Sequence, residues 1–336
     1  MTQIPATSQG TVTGRKLLLW LAWLSLATGV VAVLCSLVGE YHLTWRTWYF
    51  RMCRAAVAAE VGMALAVAGL ALQALLRNPL AEPYILGISS GAGVGVLCGL
   101  ALATHLALPR WATTPALAMV GGLATAVVVY AIAHRRGRLD PYVLLLAGVM
   151  INVFNGALIL VILQFTQPTE TIHFIGWGMG KVPEWIWNEP ILLIVSAVAM
   201  LGAWGILFTR GAAFNVLGLG DEVASSTGVS VQSLRIQTFV VVSLMTAMAV
   251  SLAGPIGFIG LIVPHVCRML LGPDHRLLVI VSGFGGAMFL ILADTLCRLI
   301  GMWANMAELP VGVMTALAGG PFFIYLLRTR RGGGLQ

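Results

Sequence analysis

Ten apolar runs, separated by short polar joints, leave this chain one kind of environment in which to fold. They cover residues 17–38, 55–76, 84–108, 116–133, 142–165, 191–208, 238–253, 257–271, 277–296 and 311–327. At 1.5 Å per residue, most are long enough to cross a hydrocarbon core of about 30 Å as helices. Only 9% of the 336 residues are charged and 59% are hydrophobic; a soluble domain carries about 25% charged residues. The chain therefore reads as all-α, a polytopic membrane protein of ten transmembrane helices forming one domain over residues 1–336. Run 17–38 follows Arg15-Lys16 as a signal peptide would. It is longer than a typical secretory core and no small-residue cleavage site follows, so it reads as an uncleaved first span.

Charge orients the spans. With ten of them both termini fall on one side, and that side collects thirteen of the nineteen Lys and Arg residues, among them Arg77, Arg135, Arg136, Arg138, Arg210, Arg235, Arg268 and Arg276. The positive-inside rule then makes both termini cytoplasmic, in a cytoplasmic (inner) membrane. The net charge of +7 is accounted for by arginines at span ends next to lipid, so no nucleic-acid partner is expected. The five cysteines (Cys35, Cys53, Cys98, Cys267, Cys297) include no Cys-x-x-Cys pair and read as buried apolar residues. Cys53 and Cys297 each precede an arginine on the outer side, where a disulfide is conceivable.

Within this pattern, 253–276 stands apart. Its apolar part, 257–271, is 15 residues long, short for a span. Gly254-Pro255 precedes it, Pro264-His265 interrupts it and Gly272-Pro273 closes it. Unpaired amide groups are costly in lipid, so a backbone broken this often must lie against protein or line a polar cavity, where transporters place their working parts. Two joints are long. Residues 166–190 fall outside and carry Trp177, Trp185 and Trp187, which suits an interfacial segment. Residues 209–237 fall inside, with Asp221-Glu222 placed for the first turn of a short helix ending near Gly228. A compact cytoplasmic element of this kind suits docking.

Six motifs, in order, resemble the permease subunits of ABC importers for iron–siderophores, haem and cobalamin. They are Arg77-Asn78-Pro79-Leu80-Ala81-Glu82-Pro83 with Leu86-Gly87-Ile88-Ser89-Ser90-Gly91-Ala92, then Leu145-Leu146-Ala147-Gly148, Gly220-Asp221-Glu222, the stretch 254–276, and Glu308-Leu309-Pro310-Val311-Gly312. The resemblance spans about residues 46–328. It implies the type II ABC importer permease architecture and a second permease subunit, identical or paralogous, around a central path. It also implies a cytoplasmic ATPase dimer below and an extracytoplasmic substrate-binding protein above. No cofactor or metal site is implied. The chain contains no G-x-x-x-x-G-K-[ST]; Met179-Gly180-Lys181-Val182 comes nearest and lacks the first glycine and the hydroxyl. ATP hydrolysis therefore falls to a separate subunit, and the chain is not itself an enzyme.

By motif position the resemblance assigns roles. Arg51, Arg54 and Arg298 would meet acidic residues of the binding protein as exposed charge pairs; the alternative is helix-end snorkelling, or for Arg298 an i,i+4 pair with Asp294. Gly220, Asp221, Glu222, Ala224 and Gly228 would form the coupling element seated in the ATPase, within the loop 209–237. Asn78, Leu80, Asp140 and Pro141 would close an inner gate, although Asn-Pro also stops helices and Asp-Pro starts them. Gly254, Pro255 and Gly257 would wall the path. This chain departs from the family at Met52-Cys53, at Ser225-Ser226-Thr227, at Lys181, and at Glu60, an intramembrane acid and so a functional candidate. His265 reads as structural rather than a ligand. An ion-gradient-driven secondary transporter is the competing class; it needs acids at mid-membrane depth, and only Glu60 and Asp294 approach that. An intramembrane enzyme would need paired catalytic groups at one depth, and none are found.

Overall fold

The computed structural model describes residues 14–39, 44–183 and 188–330. The helices are α1 (Gly14–Leu37), α2 (Trp45–Leu76), α3 (Ile88–Leu106), α4 (Arg110–Ala133), α5 (Pro141–Leu163), α6 (Pro168–Gly178), α7 (Pro190–Thr209), α8 (Gly211–Leu217), α9 (Asp221–Ser226), α10 (Val231–Ala253), α11 (Ile259–Leu271), α12 (His275–Ala304) and α13 (Val311–Arg330). A 3-10 turn, Pro83–Leu86, precedes α3. A minimal hairpin, β1 (His134–Arg135) with β2 (Arg138–Leu139), joins α4 to α5. Among the described residues eight helices are long and apolar enough to cross a membrane, and α11 with the apolar part of α13 are two shorter candidates. Together they account for the ten runs.

Local chemistry sets the ends. Thr44 opens α2 with a reciprocal capping box to Thr47, which is why this helix starts ten residues before the apolar run at 55. Asp140 caps α5 through the Tyr142 and Val143 amides, and Asp274 caps α12 through Arg276. Proline occupies the first position of α5, α6 and α7, where its missing N–H costs nothing. Helix α10 begins at Val231, seven residues before the apolar run, because the polar turn Val231–Gln237 continues the same coil.

Helix α2 is the axis of the molecule. Of its most apolar window 83% is buried, against none for α1 at the periphery, although α1 is the more apolar of the two. Burial here comes from position in the bundle. Helices α10, α11 and α12 pack directly on α2, with α1 and α7 outside them, while α3, α4 and α5 form a neighbouring group joined through α10. Two glycine pairs let α2 approach its neighbours closely. A Cβ on Gly62 would stand 2.2 Å from the Gly286 carbonyl oxygen, and one on Gly69 would stand 2.0 Å from that of Gly260. Without a hydrophobic drive between helices in lipid, close packing of this kind is one source of attraction, beside interhelical hydrogen bonds.

The free thiols of Cys53 and Cys297 are both buried, so the conceivable disulfide is not formed. Trp177 lies in α6, half-buried against Phe174. Trp185 and Trp187, like the glycines at 332–334, lie outside the described residues.

Candidate functional site

Helix α2 ends at Arg77 in the left-handed conformation (φ 49°), and the chain then turns back into the bundle. The Asn78 side chain accepts from the Leu80 amide, closing a local turn. The returning segment packs Ile85 and Leu86 against Gly148, two turns into α5. On the other side of α2, α10 ends at Ala253 and the next five residues, 254–258, are not helical. Gly254 (φ 70°, ψ −172°) takes a conformation closed to other residues. A side chain there would also strike the Trp177 carbonyl at 2.3 Å.

These two non-helical segments meet and satisfy each other. The Tyr84 hydroxyl donates to the Ile256 carbonyl (3.0 Å) and accepts from the Ile256 amide (2.8 Å). The Glu82 carboxylate accepts from the Phe258 amide at 2.5 Å. Gln73 on α2 donates to the Gly260 carbonyl (3.0 Å), and its own carbonyl accepts from Arg268 (3.2 Å). That bond also corrects an expectation. Pro264 does not interrupt α11; it lies inside a continuous helix. It does leave the carbonyl four residues earlier, Gly260, without its helical donor, and Gln73 supplies one. Gly69 lies eight residues before Arg77, so this junction sits about 12 Å in from the end of α2. His265 is buried edge-on to Phe322, as a packing residue.

At the same end as Arg77 lies the polar element of loop 209–237. Helix α8 is pinned to α12 by Asn215, which donates to Asp274 (2.7 Å) and accepts from the His275 amide (2.8 Å). Helix α9 starts where the reading of Asp221-Glu222 placed it, after Gly220 (φ 128°), and Gly228 (φ 86°) follows its last turn. Ala224 is fully buried, while Glu222, Val223, Ser225 and Ser226 face out. Asp221 does not face out alone: it pairs with Arg77 and with Arg235, the latter at 2.9 Å. An open groove bordered by Arg138, Glu222, Ser225, Gly228 and Gln232 runs alongside. Asp140 serves as the α5 cap and Pro141 as its first residue, so both do what helix initiation requires.

The opposite end gathers Arg51, Arg54 and Arg298 around one cleft with Gly39, Thr47 and Glu308. The expectation of exposed charges needs correcting, for Arg51 and Arg54 are each 6% exposed. Arg54 grips Asp294 with Nε (3.0 Å) and a terminal nitrogen (2.9 Å) and reaches Glu308 at 2.7 Å. Arg298 donates to the Val38 carbonyl and lies 3.4 Å from Asp294, the i,i+4 pair; Arg51 donates to Ser36. Asp294 is thus a structural counter-ion, which a single sequence shows only for its neighbour Arg298. Glu60 is buried in α2. Its polar neighbour is Ser196 of α7, not Arg51 or Arg54.

Two breaks in the α-helical backbone meet inside the bundle, with a separate polar element at one end, and comparison with known proteins identifies the family. The model of the FecCD transport family matches residues 17–329. The chain belongs to the FecCD transport family. It is 40% identical over 285 residues to the cobalamin import permease BtuC of Halobacterium salinarum, covering 83% of this chain and 72% of that protein. To the hemin transport permease HmuU of Yersinia pestis it is 38% identical over 296 residues, covering 85% and 84%. Among solved structures it resembles a metal-chelate type ABC transporter in an inward-facing conformation, with TM-score 0.79, 28% identity, and coverage of 93% and 99%. This FecCD-family chain is therefore a multi-pass permease subunit of an ABC importer.

Proposed function

We propose that this permease passes a metal chelate of the iron–siderophore, haem or cobalamin class inward between two permease subunits, identical or paralogous. A separate ATPase drives it from the α9 end, and a substrate-binding protein delivers from the Arg54 end. The observation that carries this reading is the pair of breaks in the α-helical backbone, 78–87 and 254–258, held together inside the bundle by Tyr84, Glu82 and Gln73. Non-helical backbone at membrane depth is tolerated where it lines a path. Orientation follows from the thirteen basic residues on the terminal side, which makes both termini and α9 cytoplasmic. Gly254, Pro255 and Gly257 then wall the path, and Asn78, Leu80, Asp140 and Pro141 border its inner mouth. Gly220, Glu222 and Gly228 frame the ATPase-facing surface of α9, with Ala224 anchoring it from below.

Docking at Arg51, Arg54 and Arg298 is supported by the cleft's own chemistry. It already holds one carboxylate, Glu308, whose side chain is 41% exposed. Incoming carboxylates of a binding protein would meet the same guanidinium groups, so the contact is made at a cleft rather than between protruding charges. The test is reconstitution in liposomes with the cognate ATPase and binding protein, offering ferric citrate, haemin and cyanocobalamin in turn. ATP-dependent uptake of one of them is expected. Uptake driven by a proton gradient without any ATPase would replace this reading with the ion-coupled one.

A further inference from the structure

Asp221 belongs by position to the surface that meets the ATPase, yet its carboxylate is engaged on its inner side. One oxygen takes Arg77, the C-cap of α2, and Arg235 in the first turns of α10 also binds it. Arg77 further donates through Nε to the Leu217 carbonyl at the end of α8 (3.0 Å). Residues 144 positions apart are thereby clamped at one point. One helical turn back along α2 from Arg77 stands Gln73, whose amide donates to Gly260 and reaches Ala81 at 3.5 Å. Those two carbonyls belong to the two sides of the junction. A continuous set of polar contacts therefore runs from α9 to Asp221, to Arg77, along one rigid turn of α2 to Gln73, and into the junction.

We propose that Asp221 is a positioning residue that ties α9 to the end of α2, so that displacement of α9 is delivered to the non-helical junction instead of being absorbed by a loose loop. This rests on the reading of α9 as the ATPase-facing element. Three features favour transmission over simple loop anchoring. The Arg235 side chain is 9% exposed, so its charge is held rather than solvated. Arg77 closes its helix in a left-handed conformation that fixes where its side chain starts. Gln73 is 3% exposed and uses both ends of its amide. The Arg77 and Asp221 side chains are 37% and 44% exposed, and water weakens a pair so placed, so losing this one link should alter coupling about threefold.

The experiment uses the full permease with its ATPase and binding protein in liposomes, taking up whichever of ferric citrate, haemin or cyanocobalamin the wild type transports. In Arg77→Gln, which leaves the outer face of α9 untouched, uptake per ATP hydrolysed should fall about threefold while the ATPase still copurifies. Asp221→Asn should show the same loss in that ratio, and Asp221→Glu should restore most of it. An unchanged ratio in both Arg77→Gln and Asp221→Asn overturns the proposal. So does loss of the ATPase from the Asp221→Asn complex in proportion to uptake, which would make Asp221 a contact residue. A second measurement needs none of these variants: spin labels on cysteines placed at Ser226 and Leu80 should keep their separation when ATP is added. Sliding of one label relative to the other also overturns it. Absence of ATP-dependent uptake by the wild type is a different result, and it counts against the importer reading itself.

Discussion

Tyr84 illustrates how much a single polar atom can decide inside a membrane bundle. Its hydroxyl serves both the amide and the carbonyl of Ile256, two backbone groups that no helix satisfies. In water either could turn to solvent; here the loss leaves a buried donor and acceptor unpaired. Tyr84→Phe should lower stability by about 1–3 kcal/mol and raise amide exchange at 254–258, read by hydrogen–deuterium exchange in detergent. Unaltered exchange there would show that Ile256 is satisfied otherwise. Arg54 poses the mirror problem, a cation with two acids at 6% exposure. Breaking a buried pair from one side leaves the other charge stranded. Asp294→Asn should therefore cost about 3 kcal/mol in unfolding free energy, more than Glu308→Gln, whose acid is half in solvent. Equal losses for the two would mean that Asp294 is not the principal partner.

At the scale of elements, most helices were legible because hydropathy is summed locally along the chain. The runs at 116–133 and 191–208 reappear within α4 and α7, and 142–165 overruns the end of α5 by two residues. Errors fell where the cause is non-local or polar. Helix α2 gained its first turns from a capping box, and α6 adds a helix in a joint whose secondary structure was not read from sequence. Pro264 looked like a break because its effect on Gly260 is visible in sequence, whereas the compensating donor, Gln73, lies 187 positions away. Glycines carry the same ambiguity: Gly69 and Gly205 look alike in an apolar run. Yet a Cβ at Gly69 would collide with the Gly260 carbonyl at 2.0 Å, and one at Gly205 meets nothing within 4 Å. Gly69→Ala should thus cost about 3 kcal/mol and separate α2 from α11, while Gly205→Ala leaves the thermal midpoint in detergent near that of the wild type. A comparable midpoint for both would remove the close approach as the reason for glycine.

For the whole molecule, the arginine cleft and α9 stand at opposite ends of the bundle, so binding-protein and ATPase contacts can be varied independently. Neutralising Arg51 and Arg298 to Gln, which keeps donors for the Ser36 and Val38 carbonyls and leaves Arg54 on Asp294, should weaken binding-protein association several-fold at low salt and less at high salt. Titration calorimetry checks this, and salt-independent or unchanged affinity would remove the two from the docking surface. The amino-acid sequence by itself determined the membrane environment, the ten apolar runs, the short helix after Gly220 and the family, because hydropathy, turn residues and ordered motifs are properties of neighbours along a chain. Only the tertiary structure decided that Asp294 neutralises Arg54, that Asp221 turns to Arg77 and Arg235, and that Tyr84, Glu82 and Gln73 knit the broken segments together. Each of those choices joins residues that fold returns to one place, and a carboxylate or amide reads the same in sequence whichever partner it will meet.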